Sequence, residues 1–218
     1  MDSQFPPQLL DDIESTAVIA VVTIANPATA PALADALLEG GINAMELTLR
    51  TPAALESLRA IKNSAPDMLV GAGTILTSDQ LDQAIDAGAA FGVAPGLNPR
   101  IVQAAQSKNL PFAPGVATPS EVERAIELGC RELKFFPAES NGGLPYLSNI
   151  AAPFAHLGIR FIPLGGINAD NMLTYLNHET VLAVGGSWIA PPKLIDEENW
   201  GEITSRAAAA QKTLGKTA

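Results

Sequence analysis

The stretch "AVIAVVTIANPATAP", residues 17–31, decides between two ways of building an α/β domain of this length. Its unbroken apolar run at 17–24 suits a parallel strand covered on both faces. An open doubly wound sheet would follow such an early strand with a phosphate-binding glycine fingerprint. The loop here, "ANPATAP" at 25–31, contains no glycine. A barrel is the reading that fits.

Further strand-like runs recur along the chain: "NAMELTL" (43–49), "MLVGAG" (68–73), "FGVAP" (91–95), "LPFAP" (110–114), "ELKFFP" (132–137), "RFIPLG" (160–165) and "VLAVGG" (181–186). Helical segments separate them, with marked boundaries. "TSDQ" at 77–80 and "TPSE" at 118–121 fit capping boxes, and Gly41, Gly88, Gly129 and Gly158 stand where C-terminal caps belong. The expectation is α/β, a single (β/α)8 TIM barrel domain over residues 1–218 with a short N-terminal helix. The tail "AAAAQKTLGKTA" at 207–218 is expected to end the last helix and fray.

Composition narrows the function classes. The 218 residues are 47% hydrophobic and 17% charged, enough apolar material for a substantial core. Thirteen basic against 23 acidic residues leave a net charge of −10, which argues against nucleic acid or an anionic membrane as partner. One cysteine, Cys130, excludes an intrachain disulfide and a Cys-based zinc cluster and fits a reducing compartment. The opening "MDSQFPPQLLDDIE" lacks the basic and apolar regions of a signal peptide, and the longest apolar run is too short to span a bilayer. A cytoplasmic location is the expectation.

Strand alternation shows which side chains face inward. In "MELTLR", Met45, Leu47 and Leu49 share one face, and Glu46, Thr48 and Arg50 share the other. The apolar set belongs against the helices, so two opposite charges and a hydroxyl point inside. In "ELKFFP", the same rule sets Glu132, Lys134 and Phe136 opposite Leu133 and Phe135. A lysine is seldom buried unless paired or put to use. The plain alternative is a buried Glu46–Lys134 ion pair with no chemistry, or Arg50 as a structural clamp; such pairs are weak evidence of stability.

Two further signals favour chemistry. Arg50 ends its strand at the C-terminal rim, where barrel active sites are found. Glycine-rich turns, "LGGINADN" at 164–171 and "VGGSWIAPP" at 185–192, follow the last two strands, and glycine lets the backbone approach a ligand closely. Each turn is expected to lead into a helix whose N-terminal N–H groups attract an anion, with Ser187 adding a hydroxyl.

The segments "MELTLRTP", "VGAGT", "LKFFPAE" and "VGGSW", in this order, resemble the bacterial 2-keto-3-deoxy-6-phosphogluconate (KDPG) / 4-hydroxy-2-oxoglutarate (KHG) aldolases over roughly residues 15–190. The resemblance implies a class I aldolase that needs no metal or other cofactor, acts on a small keto acid and assembles as a homotrimer. It implies that Lys134 forms the Schiff base and that Glu46 is the general acid/base. Arg50 and Thr74 would hold the pyruvyl carboxylate, and Gly165, Gly166, Gly186 and Ser187 would lie near a distal phosphate. Pro95 (in "APG") and Phe136 match pocket-lining positions. One position departs: relatives with "PTGGI" carry threonine where this chain has Leu164, so the usual sugar-acid preference does not transfer directly.

Elementary chemistry agrees with these roles. An ammonium is no nucleophile, and apolar surroundings disfavour the charged amine. An arginine fork suits a carboxylate, and one positioned carboxylate can serve several proton transfers. Two other readings use the same features. A phosphosugar isomerase or synthase would need the glycine turns but not Lys134; a non-catalytic keto-acid or phosphate binder would treat the charges as structural. His156 and His178 lack partners at ligand spacing, Cys130 reads as an inert buried thiol, Trp188 fits pocket wall and rim packing equally, Glu139 is assigned to its loop, and Glu132 to the N-terminal end of its strand.

Overall fold

The computed structural model describes residues 3–215. After helix α1 (Pro7–Thr16), strands and helices alternate: β1 (Val18–Val22), α2 (Ala30–Glu39), β2 (Ala44–Thr48), α3 (Ala54–Ser64), β3 (Leu69–Gly73), α4 (Ser78–Asp86), β4 (Phe91–Val93) and α5 (Pro99–Ser107). The second half continues with β5 (Phe112–Ala113), β6 (Gly115–Val116), α6 (Pro119–Glu127), β7 (Glu132–Phe135), α7 (Gly143–Ala151), β8 (Arg160–Pro163), α8 (Met172–Leu176), β9 (Val184–Gly186), α9 (Pro192–Asp196) and α10 (Trp200–Thr213). Each expected run contains a strand, and the N-terminal helix is present. Thr77–Gln80 and Thr118–Glu121 form complete capping boxes, and the four cap glycines all adopt left-handed φ. Residues 216–218, part of the tail expected to fray, lie outside the described residues.

The closed eight-stranded barrel is not formed. The strands pair in parallel as a six-stranded half-barrel, in the order β5-β4-β3-β2-β1-β9, and a separate three-stranded sheet, β6-β7-β8. Two seams interrupt closure. The run over 112–116 splits at Pro114, which has no N–H to donate, so β5 pairs with β4 and β6 with β7. At the other seam, β8 meets the last strand region only through the isolated bridges Phe161–Val181 and Leu164–Gly185. Apolar continuity reported the strands correctly but carried no information on which backbone groups would bond.

Two apolar layers follow from the strand alternation. Met45, Leu47, Leu133 and Phe135 point outward into the core shared with the helices, alongside Leu33, Leu37 and Leu58. Ile19, Ala44, Phe91, Val93 and Ile162 point inward and meet Phe5, Leu9 and Ile13 from the N-terminal segment. That segment covers the N-terminal ends of the strands, where Ser3 Oγ also donates to Glu132 Oε2 at 2.8 Å. Burying Phe5 and Ile13 contributes about 2 kcal/mol each by area. The N-terminal ends are thus sealed, and the C-terminal ends are left for a pocket.

Candidate active site

Glu46 and Lys134 come from β2 and β7, in different sheets, and meet inside. Lys134 Nζ donates to both oxygens of the Glu46 carboxylate, at 3.0 and 3.1 Å. Both side chains are almost fully buried, at 4% and 7% exposure. The amine also lies 5.4 Å from the centre of the Phe136 ring, within cation–π range. On the N-terminal side of the pair is a small apolar hollow lined by Phe5, Ile13, Ile19, Phe91, Val93, Ala113, Ile162 and Leu164. Above it opens a pocket of about 210 Å³. The buried ion pair thus has an apolar floor and a pocket opening above it.

The pocket gathers every site residue expected from the sequence. Arg50, Thr74 and Thr48 line it with the ion pair, Pro95, Phe136 and Leu164 supply apolar wall, and Gly165, Gly166, Gly186 and Ser187 form the far end. Thr74 has φ of 64°, a left-handed conformation that costs a β-branched residue roughly 1–3 kcal/mol. Its backbone is held there by flanking bonds: Leu49 N–H donates to Gly73 O and Ile75 N–H to Val93 O. Neither the Thr74 nor the Ser187 hydroxyl has a protein hydrogen-bond partner among the described residues, nor do the N–H groups of Gly166 and Ser187. Unpaired donors converging on a pocket are a site for oxygen-rich ligands.

The turns at 164–171 and 185–192 lead into helices as expected, α8 from Met172 and α9 from Pro192, each of five residues. The donors available are turn amides, not a helix terminus. The first turn is braced from behind. Ala138 N–H donates to Leu164 O and Glu139 N–H to Gly165 O, while the Glu139 side chain packs where a Gly166 Cβ would stand. Tyr175 donates its hydroxyl to Glu139, and burial first, then this bond, raises its pKa. Glu139 therefore serves the loop, as its position suggested.

A family model for KDPG and KHG aldolase matches residues 10–206. The chain belongs to the KDPG and KHG aldolase family. The aldolase is 43% identical, over 94% of its length and 96% of theirs, to a 2-dehydro-3-deoxy-phosphogluconate aldolase of Treponema pallidum. It is 40% identical, over 88% and 90%, to the KHG/KDPG aldolase of Escherichia coli K12. Among solved structures, the KDPG aldolase of Legionella pneumophila, with pyruvate captured as a covalent carbinolamine intermediate, superposes with a TM-score of 0.88 at 40% identity, covering 92% of this chain and 97% of that one.

Outside the pocket, Glu132 and His178 have structural partners. Glu132 bonds Ser3 at the N-terminal end. Its pKa is raised, by burial first, against the opposing Ser3 bond and the nearby Arg160 and Arg131. Cys130 is buried, and desolvation, then Glu132, pushes its thiol up to about 12, the reverse of a reactive cysteine. His178 bridges Ser148 and Thr180 at 2.9 Å on each ring nitrogen, with Ser148 donating to Leu144 O, while His156 is exposed. Trp188 packs over Gly186 at the pocket rim. Among the described residues no helix is long and apolar enough to cross a membrane.

Sequence reasoning left some contributors unassigned. Thr48 was read as inward-facing but given no role, and Val21, Ile167 and Gly185 also line the pocket. Thr23 bonds Arg50 and Thr48 without lining it. Alternation along "IAVVT" at 19–23 carries the signal for Val21 and Thr23, since Ile19, Val21 and Thr23 share one face.

Proposed function

We propose that this aldolase cleaves a 4-hydroxy-2-keto acid, KDPG or KHG, to pyruvate and glyceraldehyde 3-phosphate or glyoxylate, through an imine on Lys134. The observation that carries the reading is the Lys134 amine held against both oxygens of the buried Glu46 carboxylate at the pocket floor. Glu46 is within reach to take a proton from Nζ, which leaves a neutral amine to attack the keto carbon C2. The carbinolamine loses water to a protonated imine. Glu46 then removes the proton of the C4 hydroxyl and the C3–C4 bond breaks. Its electron pair flows to the imine nitrogen, giving an enamine, and the aldehyde departs. Protonation at C3 and addition of water release pyruvate and the free lysine. The covalent intermediate named for the Legionella relative supports this route.

Arg50 suits a bidentate grip on the substrate carboxylate, with the unpartnered Thr74 hydroxyl beside it, which fixes C2 against the amine. The turn amides of Gly166 and Ser187, flanked by Gly165 and Gly186, are assigned to the distal anion, phosphate in KDPG or carboxylate in KHG. Pro95, Phe136 and Leu164 exclude water from the reacting carbons. The imine nitrogen is itself the electron sink, so the reaction calls for no metal or other cofactor. The chain is assigned one functional unit over 1–218, a cytoplasmic location and a homotrimeric state, the last on family resemblance alone.

Borohydride trapping tests the mechanism: the protein is incubated with pyruvate, reduced, digested and mapped by mass spectrometry. A reduced pyruvyl adduct on Lys134 is expected. A folded sample that binds pyruvate but yields no adduct there overturns the imine route.

A further inference from the structure

Arg50 sits at the rim, exposed, and makes no ion pair among the described residues. A long cationic side chain in that setting samples many rotamers, so a productive grip on a carboxylate needs something to hold the fork still. The strand register supplies it. Val22 of β1 pairs with Leu47 of β2, and one step further along, Thr23 and Thr48 face each other on the inner side. Their hydroxyl oxygens are 2.8 Å apart. Thr23 Oγ1 also accepts from Arg50 Nη2 at 2.9 Å. Thr48 is 2% exposed and so cannot swing away, which fixes Thr23 in turn.

We infer that Thr23, backed by Thr48, is a positioning residue for Arg50: it accepts one guanidinium N–H and leaves the rest of the fork aimed into the pocket. The inference rests on the assignment of Arg50 to the substrate carboxylate. Its chemistry is specific. A threonine oxygen accepts and an isosteric valine cannot, whereas serine keeps the acceptor without the methyl group.

The test compares Thr23→Val, Thr23→Ser, Arg50→Ala and the Thr23→Val/Arg50→Ala double variant, each checked for an unchanged circular dichroism spectrum. The readouts are kcat and KM for cleavage and the pyruvate concentration that half-saturates borohydride trapping. Losing one charge-assisted hydrogen bond predicts that Thr23→Val raises both KM and half-saturating pyruvate about tenfold, with kcat within about threefold. Thr23→Ser should recover to within about twofold, and the double variant should be no worse than Arg50→Ala, because the two act through one group. Thr23→Val with unaltered KM, while Arg50→Ala raises it, overturns the positioning role and leaves the Arg50 assignment standing. If Arg50→Ala also leaves KM unaltered, the Arg50 assignment falls and the inference falls with it. A Thr23→Val effect confined to kcat, or one that adds to that of Arg50→Ala, likewise overturns it. Thr23→Ala gives the same readout if valine proves too bulky to fold.

Discussion

Gly73 stands where a Cβ would lie 2.0 Å from Oε1 and 2.5 Å from Cγ of Glu46. The last residue of β3 thus leaves room for a carboxylate that belongs to β2. Because Glu46 is buried and bonded to Lys134 through both oxygens, it can yield to an added methyl group only by leaving the amine. Gly73→Ala is therefore expected to lower kcat about a hundredfold, the scale of a lost general acid/base, while the far-ultraviolet spectrum is retained. Steady-state kinetics decide it; an alanine variant with wild-type kcat would show that the carboxylate does not work from this position.

The buried pair should contribute little net stability despite its short contacts. Removing one partner strands the other charge, so Lys134→Met alone is expected to cost about 3–5 kcal/mol in urea unfolding. The Glu46→Met/Lys134→Met double variant replaces both charges with apolar chains of similar length. It is expected to return to within about 1 kcal/mol of wild type while remaining inactive. A double variant as unstable as the single would mean that the ion pair is a structural keystone.

The raised pKa of Glu132 makes a signed prediction about pH. Burial holds the folded carboxyl above its ordinary range, so between the ordinary and the raised value the folded state binds more protons than the unfolded one. Stability from this group is complete below the unfolded pKa and is lost as pH rises through the folded one. Glu132→Gln cannot ionise and should gain stability relative to wild type across that interval. Urea unfolding of both proteins in steps from pH 4 to neutrality measures the difference. A difference that shrinks as pH rises would mean that the Ser3 bond and the arginines outweigh burial.

Leu164 is 6% exposed, packs against Gly185 and borders both the pocket and the apolar hollow beneath it. It offers no hydrogen bond to a polyol chain, so the hydroxyls of the larger substrate face an apolar wall. Leu164→Thr is expected to raise kcat/KM for KDPG about tenfold relative to KHG, at a stability cost of about 1–2 kcal/mol for the lost apolar contacts. Competition between the two substrates reads the ratio directly. An unchanged ratio would remove Leu164 from substrate selection.

Much of the site was legible because alternation along a strand is a local rule. Glu46, Thr48 and Arg50 fell on the face opposite Met45 and Leu47, and the burial of those two among the helices confirms the parity. The capping boxes and cap glycines were legible for the same reason, since each is closed by bonds within a few residues. The glycine turns were located correctly, and α8 and α9 follow them.

Strand positions, the faces they present and the residue types gathered at one end are written in the chain itself, because period and propensity are properties of neighbours along it. How the strands pair emerges only on folding. Pro114 splits one run between two sheets, and isolated bridges stand where β8 and β9 would have closed the ring. The tertiary structure alone also set Gly73 beside Glu46 and Thr23 beside Arg50, contacts between strands that register brings together and composition cannot foretell.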